Sequence, residues 1–267
     1  MWNLLKSEWL KLRRCQILLV GMVALTLCPV VQYGSQLIMD PALRNPNYDF
    51  PHLFANVLWG NTQVFLPISL VMTGGWLIDR EYAGDIMKNL LVVPVSPPKL
   101  LTAKLGIVAV LAVVFGVYST AVTLLTGMTA GLAGLSSMFI LRQGICVVWN
   151  SFLNSLVCMP LILLFGQIRG AYLGGSILTF FLGYSMMFFK SGILLSAYPF
   201  SAVLVLSGFD MVEFNGAKSE PDPLLSLAGI AAITALTGVL LSISGTGKSE
   251  KAGKNSKISK RKSGAKR

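Results

Sequence analysis

The sequence has few of the residues on which most enzyme chemistry depends. It contains one histidine, His52, and only 11 acidic residues among 267. One histidine cannot supply a zinc site built from several, and neither HExxH nor the GxSxG turn of serine hydrolases occurs. The acidic residues fall in loops, at the termini or at the edges of apolar runs, where Asp79 comes closest to the inside of a run. These absences argue against a membrane-bound enzyme.

Cysteine is scarce, and a phosphate-binding motif near the C-terminus is incomplete. The cysteines lie in or beside apolar runs and form no CxxC pair, which predicts that they pack as small hydrophobic residues. They are Cys15, Cys28, Cys146 and Cys158. The stretch Gly247-Lys248-Ser249 resembles the end of a P-loop, but Ser242 stands where GxxxxGK[ST] has its first glycine. We therefore expect no ATP binding by this chain itself.

Charge is also low, whereas apolar residues are abundant. Charged residues make up 12% of the chain and hydrophobic residues 54%, with a mean hydropathy of +0.69. Soluble domains have about 25% charged residues, and about 20 apolar residues suffice to cross a bilayer. The pattern predicts an all-α integral membrane protein whose domain, residues 17–244, contains six transmembrane helices. The predicted spans are 17–38, 61–78, 105–130, 139–165, 171–189 and 224–244.

The distribution of Lys and Arg predicts the orientation of these spans. Basic loops stay in the cytoplasm, and with both termini cytoplasmic that side holds 18 of the 22 basic residues. The other side holds Arg44, Arg142, Lys190 and Lys218. The first apolar run follows basic residues but continues to about Ile38 without an Ala-x-Ala cleavage site, so it is predicted to be a retained span.

The apolar stretch 193–209 is interrupted and does not fit a seventh span. Tyr198-Pro199 divides it into two short halves, and proline breaks a helical hydrogen-bond ladder. A span here would also place the basic C-terminus outside. We therefore predict an extracellular re-entrant hairpin within residues 190–223, before the last span.

Both ends of the chain are predicted to lie at the cytoplasmic membrane surface. Residues 1–16 are expected to form an amphipathic interfacial helix, with Trp2, Leu5, Trp9 and Leu12 at helical spacing. Residues 248–267 contain nine basic residues and one acid, so residues 245–267 are predicted to be a disordered basic tail near anionic lipid. Nucleic-acid binding is the alternative, which we do not adopt.

The fourth predicted span carries the clearest intramembrane polar pattern. Gln143, Asn150 and Asn154 follow helical spacing and share one face with two cysteines. Amides facing lipid would be costly, so this face is expected to point at protein or water. Interhelical packing and the lining of a translocation path both remain open from the sequence.

A charged segment, residues 79–104, separates the second and third predicted spans. Residues 81–91 can form a short helix whose acids Glu81 and Asp85 lie near its N-terminus and Lys88 near its C-terminus. The apolar residues that follow would face water unless the bilayer or a partner protein covers them. A loop folded on the membrane and a docking segment are both compatible with this composition.

Two stretches, residues 7–14 and 80–105, resemble the permease subunits of type-2 ABC exporters. The first carries an E-x-x-K-L pattern at Glu8, Lys11 and Leu12. The second carries E-x-x-G, Leu-Leu-x-x-Pro and K-L-L-x-A-K elements, which fall on Glu81, Gly84, Leu90, Leu91, Pro94 and residues 99–104. The six-span layout and the outer hairpin are similar too.

This resemblance implies that residues 79–104 couple the chain to a separate ATPase. Two ATPase copies would bind ATP and Mg and pair with a second permease, the same or a homologous chain, in a bacterial cytoplasmic membrane. The chain most resembles lantibiotic-immunity and bacitracin-resistance permeases, which implies export of a hydrophobic or amphipathic compound such as an antimicrobial peptide. A different cargo, such as a lipid or small drug, and a non-transporting assembly protein are the alternatives.

Overall fold

The computed structural model describes residues 16–42, 45–83 and 97–264, and these residues form helices and connecting loops without a strand. The α-helices are α1 (Ile17–Ile38), α2 (Phe50–Gly60), α3 (Leu66–Ala83), α4 (Pro97–Thr129), α5 (Ser137–Gly166), α6 (Tyr172–Ser185), α7 (Gly192–Ala197), α8 (Pro199–Leu206), α9 (Met211–Asn215) and α10 (Pro223–Gly264). A π-helix, Asn61–Phe65, joins α2 to α3, and a 3₁₀ turn, Met186–Phe188, follows α6.

Four of the described helices are long and apolar enough to cross a membrane. They are Ile17–Ile38, Pro98–Thr129, Ser137–Gly166 and Pro223–Ile243. The other two predicted spans correspond to a shorter apolar helix, Tyr172–Phe188, and to the helical segment 50–83, which the π-helix interrupts. The described part is therefore an apolar helix bundle, while the number of spans and their sidedness stay predictions.

The second helical segment begins earlier than the sequence predicts. The predicted span starts at residue 61, whereas the helix starts at Phe50, directly after Asp49. The Asp49 side chain accepts a hydrogen bond from the backbone N–H of His52 at 3.1 Å, and Pro51 lies in the first turn. This is a favourable helix start. The polar residues at 61–63, where the predicted span starts, lie buried in the middle of the segment.

The helix that contains the third predicted span also begins before that span, and a lysine near its start is buried. The prediction places the start at residue 105, but α4 begins at Pro97 and includes Lys104. That side chain is only 3% exposed, and its ammonium donates to the carbonyl of Leu77 at 2.7 Å. A cation can be buried where it is hydrogen-bonded, so Lys104 lies within the packed part of α4.

Helix α5 lies at the centre of the bundle and packs on α3, α4, α6, α8 and α10. Its contact with α4 is close, because a Cβ added at Gly116 would lie 2.8 Å from the Cα of Val148. The core combines Phe115 of α4 with Ile162 and Leu163 of α5, all fully buried. Large apolar side chains on the outer faces, such as Val23 and Ile177, are exposed as expected for surfaces that meet lipid.

The stretch 193–209 folds as two short helices that meet at Tyr198. Pro199 opens α8, so the break lies where the sequence predicts it. The Tyr198 hydroxyl donates to the carbonyl of Leu182 in α6 at 2.5 Å, and α8 is buried against α5 and α10. The depth of this pair in a membrane stays a prediction.

The last helix, α10, reaches into the predicted tail, residues 245–267, whose disorder stays a prediction. Helix α10 continues without a break as far as Gly264. A helix extends easily once its first turns have formed, and the apolar turns of α10 precede this stretch. No proline interrupts residues 245–264, so the basic residues there lie on an extension of α10.

Candidate functional site

Five buried polar residues in the middle of the bundle form the candidate site, which we call the amide cluster. They come from the π-helix, from α5 and from the end of α8, and they are Asn61, Thr62, Asn150, Asn154 and Ser207. The first four are 0% exposed and Ser207 is 6% exposed. The π-helix places two of them there, and such bulges occur frequently at functional sites.

The hydrogen bonds of the amide cluster centre on the Asn150 carbonyl oxygen. The Thr62 hydroxyl lies 3.0 Å and the Ser207 hydroxyl 3.3 Å from Asn150 Oδ1. Each hydroxyl also lies within 2.9 Å of a backbone carbonyl of its own helix. Because a hydroxyl has one proton, it can serve only one of these acceptors at a time.

Several polar atoms of the amide cluster have no hydrogen-bond partner. They are Asn61 Oδ1, Asn150 Nδ2, Asn154 Nδ2 and Asn154 Oδ1. Asn61 does donate through Nδ2 to Ser119 of α4 at 2.8 Å. Buried polar groups are nearly always paired, and each unpaired one costs about 1–3 kcal/mol. The cluster can therefore bind further hydrogen-bonding groups, both donors and acceptors.

A cleft of about 520 Å³ lies beside the amide cluster, at the end of the bundle where α2 and α5 begin. Ser207 belongs to both the cleft wall and the cluster. The wall contains Pro51, His52, Asn56, Leu58, Arg142, Gln143, Cys146, Phe209, Asp210, Glu213 and Phe214. It therefore combines apolar and polar groups, as ligand sites usually do.

An aromatic group forms one side of the cleft. The rings of Phe209 and Phe214 lie 5.1 Å apart in an edge-to-face arrangement, and Trp59 packs within 5.9 Å of both. Asp210 holds this loop in place, because its carboxylate accepts from the backbone N–H groups of Val212 and Glu213. The hydrogen bonds of Asp210 thus hold the turn between Phe209 and Phe214 in one conformation.

Neutral and charged polar groups surround the α2 side of the cleft. Asn56 donates to the Tyr48 hydroxyl at 2.8 Å, and His52 Nδ1 lies 2.6 Å from Asp49. Burial raises the pKa of Tyr48, whereas the hydrogen bond that its oxygen accepts from Asn56 acts in the opposite direction.

Gln143, Asn150 and Asn154, which the sequence placed on one face, lie at different depths. Gln143 lines the cleft, whereas Asn150 and Asn154 are fully buried. Sequence reasoning did not single out Asn61 and Thr62, which lie at the predicted start of the second span. That stretch, Asn-Thr-Gln within an apolar run, was the only available signal.

At the other end of the bundle, both borders of the predicted coupling segment are attached to the core. Asp79 accepts from the backbone N–H of Gly170, in the α5–α6 loop, at 2.9 Å. Lys104 donates to the Leu77 carbonyl, as described above, and so joins α4 to α3. We call these two contacts the border contacts. Along segment 50–83, Asp79 lies 21 residues after Leu58 of the cleft wall, about 30 Å at 1.5 Å per residue.

Most of the predicted coupling residues lie outside the described part of the chain. The backbone of Glu81 belongs to α3, whereas the others fall in residues 84–96, namely Gly84, Asp85, Lys88, Leu90, Leu91 and Pro94. The predicted interfacial residues Trp2, Leu5, Glu8, Trp9, Lys11 and Leu12 also lie outside it. Their roles stay predictions.

Titratable groups do not converge on the amide cluster. Within the described ranges, no group of three or more His, Cys, Asp or Glu residues could hold a metal ion. The described cysteines are free thiols. The chemistry that the cluster offers is hydrogen bonding by neutral groups.

The described part of the chain is an apolar helix bundle that contains a buried polar cluster and has a cleft at one end. Residues 4–186 match the family described as ABC-2 family transporter protein. Because this match covers more than half of the chain, the chain belongs to that family. No curated protein matches the chain. The family match ends at the 3₁₀ turn, so α7 to α10 lie beyond it.

Family membership assigns the chain a role as a membrane component. ABC-2 membrane components are generally non-catalytic permeases, and the ATPase resides on a separate subunit. The family therefore implies a partner ABC ATPase.

Proposed function

We propose that this chain is the permease subunit of an ATP-driven exporter and that residues 79–104 couple it to the ATPase. The observation that carries this proposal, together with the family, is the pair of border contacts. A segment that transmits force needs both of its ends attached to the helices that move. Asp79 attaches α3 to the α5–α6 loop, and Lys104 attaches the start of α4 to α3.

The border contacts also suggest the route of the motion. When the ATPases close on ATP, a displacement of the segment would pull on α3 through Asp79 and on α4 through Lys104. Because Asp79 also holds the α5–α6 loop at Gly170, the start of α6 would move with them. Transport then requires two arrangements of these helices that bind the cargo differently.

The proposed complex contains two ATPase subunits, which bind ATP and Mg, and a second permease of the same or a homologous kind. We place it in a bacterial cytoplasmic membrane, in contact with lipid and without a nucleic-acid partner. The proposed cargo is a hydrophobic or amphipathic compound such as an antimicrobial peptide, as in lantibiotic immunity or bacitracin resistance. The aromatic side of the cleft supports an amphipathic cargo.

Affinity purification of the full chain from its native membrane tests the coupling role. A double substitution, Leu90→Glu with Leu91→Glu, should reduce recovery of the ATPase at least about tenfold, since burying two unpaired carboxylates costs several kcal/mol. The matched control, Leu90→Met with Leu91→Met, keeps the apolar surface and should recover the ATPase as the parent chain does.

Two results would contradict the proposal. One is purification of the unaltered chain without any ATPase, which would favour a non-transporting assembly protein. The other is equal ATPase recovery by the Glu and Met variants, provided that both insert into the membrane to the same level.

A further inference from the structure

The amide cluster has a hydrogen-bonding capacity that its own residues do not use. Asn150 Nδ2 and Asn61 Oδ1 are unpartnered, and Asn154 is unpartnered at both ends of its amide. Rotating an amide by 180° exchanges its oxygen and nitrogen, so Asn154 offers one donor and one acceptor in either orientation. The site therefore presents both kinds of group.

The amide cluster is also neutral. Its side chains are amides and hydroxyls, and none of its described members carries a charge. A buried ion without a counter-charge would cost far more than neutral hydrogen bonds can return. The chemistry thus selects an uncharged ligand group that has a donor and an acceptor of its own.

The cleft borders the amide cluster at Ser207, so a ligand in the cleft would lie next to the buried Asn150. Ser207 lines the cleft and lies 3.3 Å from Asn150. Leu58 lines it too, and its carbonyl accepts from Thr62 of the cluster at 2.9 Å. Cys146 is a partly exposed residue of the same wall, one helical turn before Asn150 on α5.

We propose that the amide cluster and the cleft form a binding site for an uncharged peptide group, whose N–H and C=O pair with Asn150 and Asn154 while apolar side chains contact Phe209 and Phe214. A peptide group matches the unused donors and acceptors, and an aromatic wall suits the apolar side chains of a peptide. This inference rests on the proposed export function and specifies the chemistry of its cargo.

Protection of Cys146 from a membrane-impermeant thiol reagent tests this site in the purified full-length chain without ATPase. The other cysteines are replaced (Cys15→Ser, Cys28→Ala, Cys158→Ala), so that only Cys146 reacts. The probe is N-acetyl-leucyl-leucinamide, and its comparator has an ester in place of the central amide. The peptide should slow labelling, and the ester should need about threefold more ligand for the same protection, the factor that one hydrogen bond inside a membrane protein provides.

Two substitutions assign the protection to the amide cluster. Asn150→Leu should remove the difference between amide and ester, and Asn154→Leu should do the same if the first variant does not fold. The control is Thr179→Val on α6, which alters a buried hydroxyl that bonds within its own helix. This variant should keep the protection of the parent chain.

Four results would overturn the inference. Two concern ligands: equal protection by amide and ester, and a lack of protection by the peptide, which would assign the cluster to water alone. The others are an unchanged difference between amide and ester in Asn150→Leu, and a folded chain whose Cys146 never reacts because the cleft is closed to solvent. None of these depends on ATPase capture, so the failure of this site and the failure of the coupling role can be told apart.

Discussion

The contact between α6 and the π-helix predicts that Gly183 cannot tolerate a side chain. A Cβ added at Gly183 would collide with the backbone carbonyl oxygen of Gln63, at the π-helix that carries part of the amide cluster. Backbone cannot rotate away as a side chain can, so Gly183→Ala must push α6 from the π-helix. Gly174, on the same helix, has no neighbour within 4 Å of an added Cβ and provides the matched control.

The expected magnitude follows from the difference between the two variants. Replacing Gly by Ala in a helix stabilises it by about 1 kcal/mol, and this gain is common to Gly183→Ala and Gly174→Ala. The overpacking cost of about 1–3 kcal/mol applies only at Gly183. The free energy of unfolding of Gly183→Ala should therefore be lower than that of Gly174→Ala by about 1–3 kcal/mol.

Thermal unfolding of the purified variants in one detergent measures this difference. For a chain of this size, 1 kcal/mol corresponds to about 2–4 °C, so Gly183→Ala should melt at least about 2 °C below Gly174→Ala. Equal melting temperatures, or a higher one for Gly183→Ala, would refute the close contact between α6 and the π-helix.

Three further substitutions test the border contacts and the α7–α8 turn. Lys104→Met should leave the ATPase bound but reduce export at least about tenfold. The reason is the loss of a charge-assisted hydrogen bond worth about 1.5–3 kcal/mol. Export by Lys104→Met equal to that of the parent chain would contradict this role. Asp79→Ala should lower the free energy of unfolding by about 1–3 kcal/mol, since the N–H of Gly170 loses its acceptor, whereas Asp40→Ala in an exposed loop should change it little. Tyr198→Phe should lower the free energy of unfolding by about 1 kcal/mol, because the hydroxyl's hydrogen bonds to α6 are lost. An unchanged melting temperature would show that these bonds contribute nothing.

The helical class of the fold could be predicted because long apolar runs leave the backbone few alternatives. A backbone in lipid must satisfy its own hydrogen bonds, and a helix does so within one segment. The prolines at 97 and 199 mark the starts of α4 and α8, where a missing N–H is tolerated. The helices that start at Phe50 and Pro97 begin before the spans predicted from residues 61 and 105, because hydropathy locates apolar segments and not the starts of helices.

The candidate site was only partly predictable. The spacing of Asn150 and Asn154 identifies one polar face, and the structure shows both residues buried. Their neighbours Thr62 and Ser207 are 88 and 57 residues away along the chain from Asn150. No periodicity within one helix can reveal such a pair.

Composition and spacing alone determined that this chain is a helical membrane protein and that α5 carries a polar face, because both depend on properties local to one segment. The motifs around residues 80–105 indicated the transporter family, since they too are local. The tertiary structure decided which residues meet Asn150 and how Asp79 and Lys104 are held. Those contacts join helices far apart in sequence, and their geometry depends on how the helices pack.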